Sequence, residues 1–274
     1  MPAIYAHYMF GAESLPHFSE PVARIVRTHR AYFDLGLQGP DFYFFDQRLM
    51  LKGKHYARLG GELHKGSCVS LLSALEGGGG RRPENWALAY LFGLVGHFAL
   101  DQAAHPHIEP WVKELGYNHH RLETEFDRFL LTRVGKEARC FPLGQCIHAP
   151  RRMRVAIGGL YEAAGLGDAR DVAALFHDFG WIKNHTTLRR DKSYAALRAL
   201  MQPFGAWDAI GGIFMGPKDE LSEITNPRLF GIFEEAQGRY VQLTENYWRH
   251  IFEGAPLDAY FDRNFETAPK EEMS

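Results

Sequence analysis

Residues 86–106 read WALAYLFGLVGHFALDQAAHP, and the fold class turns on how this stretch is interpreted. Its first 15 residues, Trp86 to Leu100, carry no charge and break their apolar run only at Gly93, Gly96 and His97. A membrane span needs roughly 18 to 20 uninterrupted apolar residues, so the stretch reads as a helix enclosed by protein. His97, Asp101 and His105 follow one another at i, i+4 and i+8. At about 100° per residue they stand at about 0°, 40° and 80°, on one stripe of a helix. An unpaired imidazole or carboxylate in so apolar a setting would cost several kcal/mol, so a compensating partner is required.

Helical periodicity extends in both directions from this segment. Ser19 is placed to N-cap a helix in which Val22, Ile25, Val26, His29, Tyr32 and Phe33 recur at helical spacing until Gly36. A loop with Gly39-Pro40-Asp41 and the aromatic run Phe42 to Phe45 follows, then a helical pattern over 62–75 and a flexible connection at Gly77 to Gly80. That glycine run lacks the G-K-[ST] ending of a phosphate loop. Pro106 is expected to end the apolar helix and Gly116 to break the chain before a helix over 119–132. Further helices are expected near 150–164, 168–188 and 193–202. In the last segment Leu229, Ile232, Phe233, Ala236, Tyr240, Leu243, Tyr247 and Ile251 form one apolar face. No segment alternates with period two. The expectation is an all-α fold, a single compact multi-helix domain over residues 1–266, with 267–274 a flexible tail.

Lys and Arg number 31 against 33 Asp and Glu, and 46% of the 274 residues are hydrophobic. This excludes disorder and provides no general field for nucleic acid or anionic membranes, so an anionic partner would need a local site. The cysteines Cys68, Cys140 and Cys146 contain no C-x-x-C pair, which argues against a disulfide framework or a thiolate zinc site. With no basic segment at the N-terminus before Arg24, the expected location is the cytoplasm.

Histidine is the unusual residue: five of the 14 (His97, His105, His107, His119 and His120) fall between residues 97 and 120. His119 and Glu123 repeat the i, i+4 spacing, which puts their Cβ atoms about 5 to 6 Å apart and suits them to one ion. A single His-x-x-x-Asp on a helix is ordinarily a hydrogen-bonded core pair. Two such elements 22 residues apart, one of them in apolar surroundings, favour metal. Imidazole and carboxylate without thiolate suit catalytic zinc better than structural zinc.

These residues resemble a known group, the bacterial zinc-dependent phospholipase C family, whose helical fold is shared by single-strand-specific nucleases of the P1 type. The matching segments are Tyr5-Ala6-His7-Tyr8, Gly39-Pro40-Asp41, Gly60-x-x-Leu63-His64, Gly96-His97-Phe98-Ala99-Leu100-Asp101 with His105-Pro106, and His119-x-x-x-Glu123-x-Glu125-Phe126-Asp127-Arg128. They cover residues 5 to 128 in the family's order. The resemblance implies a cluster of two or three zinc ions. Asp41, His64, His97 and Asp101 would hold one, and His105, His119 and Glu123 a second. His7, a bridging Asp101 and the main-chain N-terminus would hold a third, if the Pro2 amine replaces the N-terminal tryptophan of secreted relatives. His55 competes with His64, which is preferred for its sequence context. His107 and His120 are alternates to His105 and His119.

Divalent ions set against Asp41, Asp101 and Glu123 would leave a positive centre that attracts a phosphodiester. They would also make hydroxide available near neutral pH, with Asp41 as the candidate general base. The expected activity is hydrolysis of a phosphodiester, with phospholipid as the substrate the family implies, no stable nucleic-acid complex and no transmembrane segment. Alternatives are a nuclease or nucleotidase with a similar cluster and a non-catalytic helical metal-binding scaffold. The dipeptide His177-Asp178 suggests an HD-type phosphohydrolase but lacks the spaced histidines that class needs.

Overall fold

A computed structural model of the chain describes residues 4–46, 55–77, 82–116 and 118–266. The helices are α1 (Ile4–Ser14), α2 (Glu20–Thr28), α3 (Arg30–Gly36), α4 (His55–Lys65), α5 (Cys68–Leu75) and α6 (Asn85–Leu115) in the first part of the chain. They continue with α7 (His119–Arg133), α8 (Arg151–Ala163), α9 (Ala169–His185), α10 (Asp191–Met201), α11 (Ala206–Ile210) and α12 (Ser222–Glu253). Among the described residues there is no strand, and Thr187 and Met215 form an isolated bridge. The fold is all-α, as the periodicity predicts.

The apolar stretch is the axis of the molecule. Every residue of α6 from Ala87 to Gln102 is buried, which explains why its sequence is apolar on all sides. By length and composition Asn85–Glu114 could cross a membrane, yet 89% of its most apolar window is enclosed by the protein itself. The closest neighbour of α6 is α3. A Cβ on Gly36 would lie 1.9 Å from the Tyr90 carbonyl oxygen, and one on Gly93 would lie 2.2 Å from that of Phe33. Only glycine at both positions lets the backbones approach so closely. The long helix α12 covers another side, with Tyr240 donating to the Phe92 carbonyl at 2.9 Å.

Several local expectations need correction. The segment from Ser19 to Gly36 is two helices, because His29 leaves the helical conformation at φ −119° and ψ 36°. Ser19 does not cap α2 with its side chain; its amide and hydroxyl both donate to Glu245. The pattern over 62–75 divides between α4 and α5. Helix α1, on which His7 sits, was not expected. Helix α6 runs through Pro106 and Pro110 and stops at Gly116, in the left-handed region at φ 60°. Each proline removes an intrahelical hydrogen bond, at a cost of about 3 kcal/mol. Burial of Ile108, between the two, recovers part of that loss. Phe42 and Phe45 stack on Phe176 and Phe179 of α9, at 4.1 and 4.5 Å between ring centroids, while Phe44 is only half-buried. Phe265 is fully buried, and the expected tail, 267–274, lies outside the described residues.

Candidate metal centre

The stripe on α6 supplies the middle of the site. His97, Asp101 and His105 are all buried, and Asp101 faces imidazoles with both oxygens. Its Oδ1 lies 3.2 Å from His7 Nε2, and its Oδ2 lies 3.3 Å from His97 Nε2 and 3.7 Å from His105 Nε2. His7 is carried by the first turns of α1. The Ala6 amide, one of the donors a helix start leaves without an internal partner, donates to Asp127 Oδ1 of α7 at 2.8 Å and so fixes the neighbouring histidine.

Asp41 arrives on the 3-10 turn Gly39–Phe44. Gly39 has φ 52°, and a Cβ there would sit 2.1 Å from the His97 ring, so glycine is required for the turn to reach α6. Asp41 Oδ1 lies 3.1 Å from His64 Nε2 at the end of α4. His64 Nδ1 lies 2.7 Å from the Gly60 carbonyl, which can only accept; Nδ1 therefore donates and Nε2 is turned toward the site. His55 is exposed at the start of the same helix, and it is His64 that the fold brings to Asp41. Phe265 covers the group, 5.5 Å from the His64 ring and 5.8 Å from that of His97.

His119 and Glu123 lie near the start of α7, with Nε2 3.1 Å from Oε1. On the other side of the ring, His119 Nδ1 lies 3.2 Å from Glu109 Oε1. Glu109 was missed in the sequence although it continues the stripe of His97, Asp101 and His105 by four more residues. The signal was present, and the expected stop at Pro106 hid it. His107 is on the helix but exposed. His120 is partly buried, with its ring 5.9 Å from that of His119.

The candidate ligands therefore form three groups whose donor atoms lie within 4.8 Å of one another: His7, His97 and Asp101; Asp41, His64 and His97; and His105, Glu109 and His119. His97 belongs to two of them, and Asp101 reaches toward the third. Glu123 touches the third group through His119. The N-terminal ligand of the expected third ion lies outside the described residues.

Two observations show that these groups could hold metal ions. Ligands about 2.0 to 2.1 Å from one tetrahedral ion are roughly 3.3 Å apart, close to the 3.1 to 3.3 Å separations of His64–Asp41, His119–Glu123, His7–Asp101 and His97–Asp101. In addition, His7 Nδ1, both nitrogens of His97, His105 Nε2 and Glu123 Oε2 are buried without a hydrogen bond. His97 Nε2 is near Asp101 but not in hydrogen-bonding geometry, as when two lone pairs point toward a common position. Each such group costs about 1 to 3 kcal/mol unless something binds it.

The proton affinities divide the set: burial would lower those of His64 and His119, but the carboxylates of Asp41 and Glu123 raise them, whereas the central residues shift toward their ligand forms. Burial pushes the pKa of His97 down to about 3 against the pull of Asp101, and burial lowers that of His105, leaving both as neutral ligands near pH 7. For Glu123 burial opposes ionisation, but His119 outweighs it and the pKa falls to about 2. Asp101 likewise falls well below the ordinary carboxylate range although burial opposes ionisation, with His7 Nε2 3.2 Å from its Oδ1.

A cavity of ≈ 30 Å³ lies among His7, Asp101, His105 and Glu123. A larger one of ≈ 370 Å³ opens beside the site between Phe44, Phe45, His120, Trp181, Ile182 and Phe214. Comparison of the chain with family models, with curated proteins and with solved structures finds no match.

Proposed function

We propose that this protein is a metal-dependent phosphodiester hydrolase of the zinc-dependent phospholipase C type. The observation that carries this reading is Asp101, a buried carboxylate with one oxygen toward His7 and the other toward His97 and His105. A carboxylate used on both sides is the usual bridge between neighbouring ions, and closely spaced ions suit in-line displacement at phosphorus.

Zinc fits the donor set of imidazoles and carboxylates without thiolate. When bound, such ions supply Lewis acidity toward phosphoryl oxygens and make hydroxide available near neutral pH. The chain's own residues have distinct tasks. His64 and His97 flank Asp41, whose carboxyl is held well below its ordinary range even though burial opposes ionisation. Asp41 is therefore first a ligand; it can accept a proton from attacking water, but only as a weak base. The flanking cavity, with Phe44 and Phe45 at its inner wall, would take the organic group of the ester. An apolar lining favours a lipid over a nucleotide, because among the described residues no Lys or Arg lines it, as a groove for single-stranded nucleic acid requires.

The test is elemental analysis of the purified protein together with hydrolysis of bis(4-nitrophenyl) phosphate, a dinucleotide and phosphatidylcholine, with and without chelator. Two or three zinc ions per chain and chelator-sensitive hydrolysis are expected. Asp101→Asn should lose metal and activity together, with affinity for the ions down at least about 100-fold. Full metal content in that variant would remove the bridging role. Bound metal with no hydrolysis of any substrate would leave a metal-binding scaffold in place of an enzyme.

A further inference from the structure

Lys183 lies on α9 with 2% of its surface exposed. Its ammonium is 5.2 Å over the ring of Phe45, four residues beyond Asp41, and Phe45 is itself stacked on Phe179 one turn before the lysine. Among the described residues no hydrogen bond or ion pair to Nζ occurs. Burial lowers its pKa, and the carboxylates of Asp127, Glu123 and Asp41 act on it without reversing that effect. Those carboxylates come from two elements, the turn that carries Asp41 and helix α7, which bear the two ends of the ligand set.

A lysine kept for stability would be expected to lie on the surface or to hold a direct ion pair, since a buried and unpaired ammonium is costly. An aromatic face offsets only part of that cost. Ions bound by Asp41 and Glu123 would also use up the negative charge that now acts on Lys183. What would then suit the lysine is an anion able to share its oxygens between ions and ammonium. The ≈ 370 Å³ cavity comes within one residue of the lysine, since Phe45, over which the ammonium lies, and Ile182, which precedes it in sequence, both line it.

We propose that Lys183 is the anion-binding residue of this centre, its Nζ donating to a non-bridging oxygen of a phosphoryl group seated between Asp41 and Glu123. The inference rests on the metal-dependent phosphodiesterase reading and adds to it a protein cation that grips the phosphate.

The experiment measures binding of inorganic phosphate to the metal-loaded, full-length protein by calorimetry, for the wild type, Lys183→Met and Lys183→Gln. Metal content and thermal midpoint are recorded for each. The expected result is phosphate affinity at least about 10-fold weaker in Lys183→Met, with Lys183→Gln between the two. Metal content should be unchanged, and the melting temperature of Lys183→Met should be no lower than wild type, because a buried unpaired charge has been removed. Unchanged phosphate affinity in a fully metallated Lys183→Met would overturn the proposal, as would a variant that loses metal and stability along with phosphate. A wild-type protein without metal would instead overturn the phosphodiesterase reading, and this inference with it.

Discussion

Asp127 shows what a residue outside the ligand set does for the site. It is buried on α7, and its carboxylate receives the Ala6 amide that starts the helix bearing His7. Burial pushes its pKa up to about 7, although the amides of Ala6 and Tyr5 and the charge of Lys183 pull the other way. The unfolded value is about 3.9, so the folded state holds this proton more tightly. The contribution to stability is complete below about pH 4 and is lost as pH rises to about 7. Asp127→Asn keeps an acceptor for Ala6 and cannot ionise. Its stability relative to wild type should therefore rise between pH 5 and pH 8, by about 2 to 4 kcal/mol. Urea midpoints across that range check this, and a difference constant with pH would refute it. The sequence showed Asp127 only as a letter in a motif; its partner is 121 residues away, and no local spacing announces it.

Among the elements, the pair α3 and α6 deserves most weight in placing Asp41. Gly36 and Gly93 let the two backbones touch, and the chain then turns at Gly39 directly onto His97. Gly93→Ala would drive a methyl group to 2.2 Å from the Phe33 carbonyl oxygen. The helices would have to separate, at a cost of about 3 kcal/mol, and Asp41 would move with α3. The expected outcome is a lower urea midpoint together with reduced zinc content; wild-type zinc content at lowered stability would mean that the crossing does not position Asp41. Much of this level was legible in advance. The type and approximate extent of α7, α8 and α9, and the type of α6 and α12, follow from periodicity and apolar run length. The break at His29 does not, because it depends on how α3 docks. The continuation of α6 past Pro106 does not either, since a proline's local cost is visible in sequence and the packing that offsets it is not.

For the whole molecule, the ligands come from α1, the turn after α3, α4, α6 and α7, so any ion they hold connects separate parts of one core. Removing it leaves buried histidine nitrogens unsatisfied. Stabilisation by an ion present at a thousand times its dissociation constant is about 4 kcal/mol. For a chain of this size that corresponds to a fall in melting temperature of about 8 to 16 °C on chelation. Differential scanning calorimetry with and without chelator, followed by zinc addition, measures it; no shift and no recovery would show that the cluster does not bind metal under those conditions. The candidate site was largely readable, in that His7, Asp41, His64, His97, Asp101, His105, His119 and Glu123 are brought to one region. Glu109 and Lys183 were not, the first concealed by a proline and the second isolated on a distant helix.

The unbroken course of α6 also makes it a ruler. Four residues of helix advance about 6 Å, so His97, Asp101, His105 and Glu109 mark equal intervals along one rod. The separation between neighbouring ions would be graduated by the backbone, independently of side-chain adjustment. One inserted residue between Asp101 and His105 would turn the remaining marks by about 100° and shift them by about 1.5 Å, dividing the scale in two. The two prolines lie beyond the first three graduations, where the rod has already set the span.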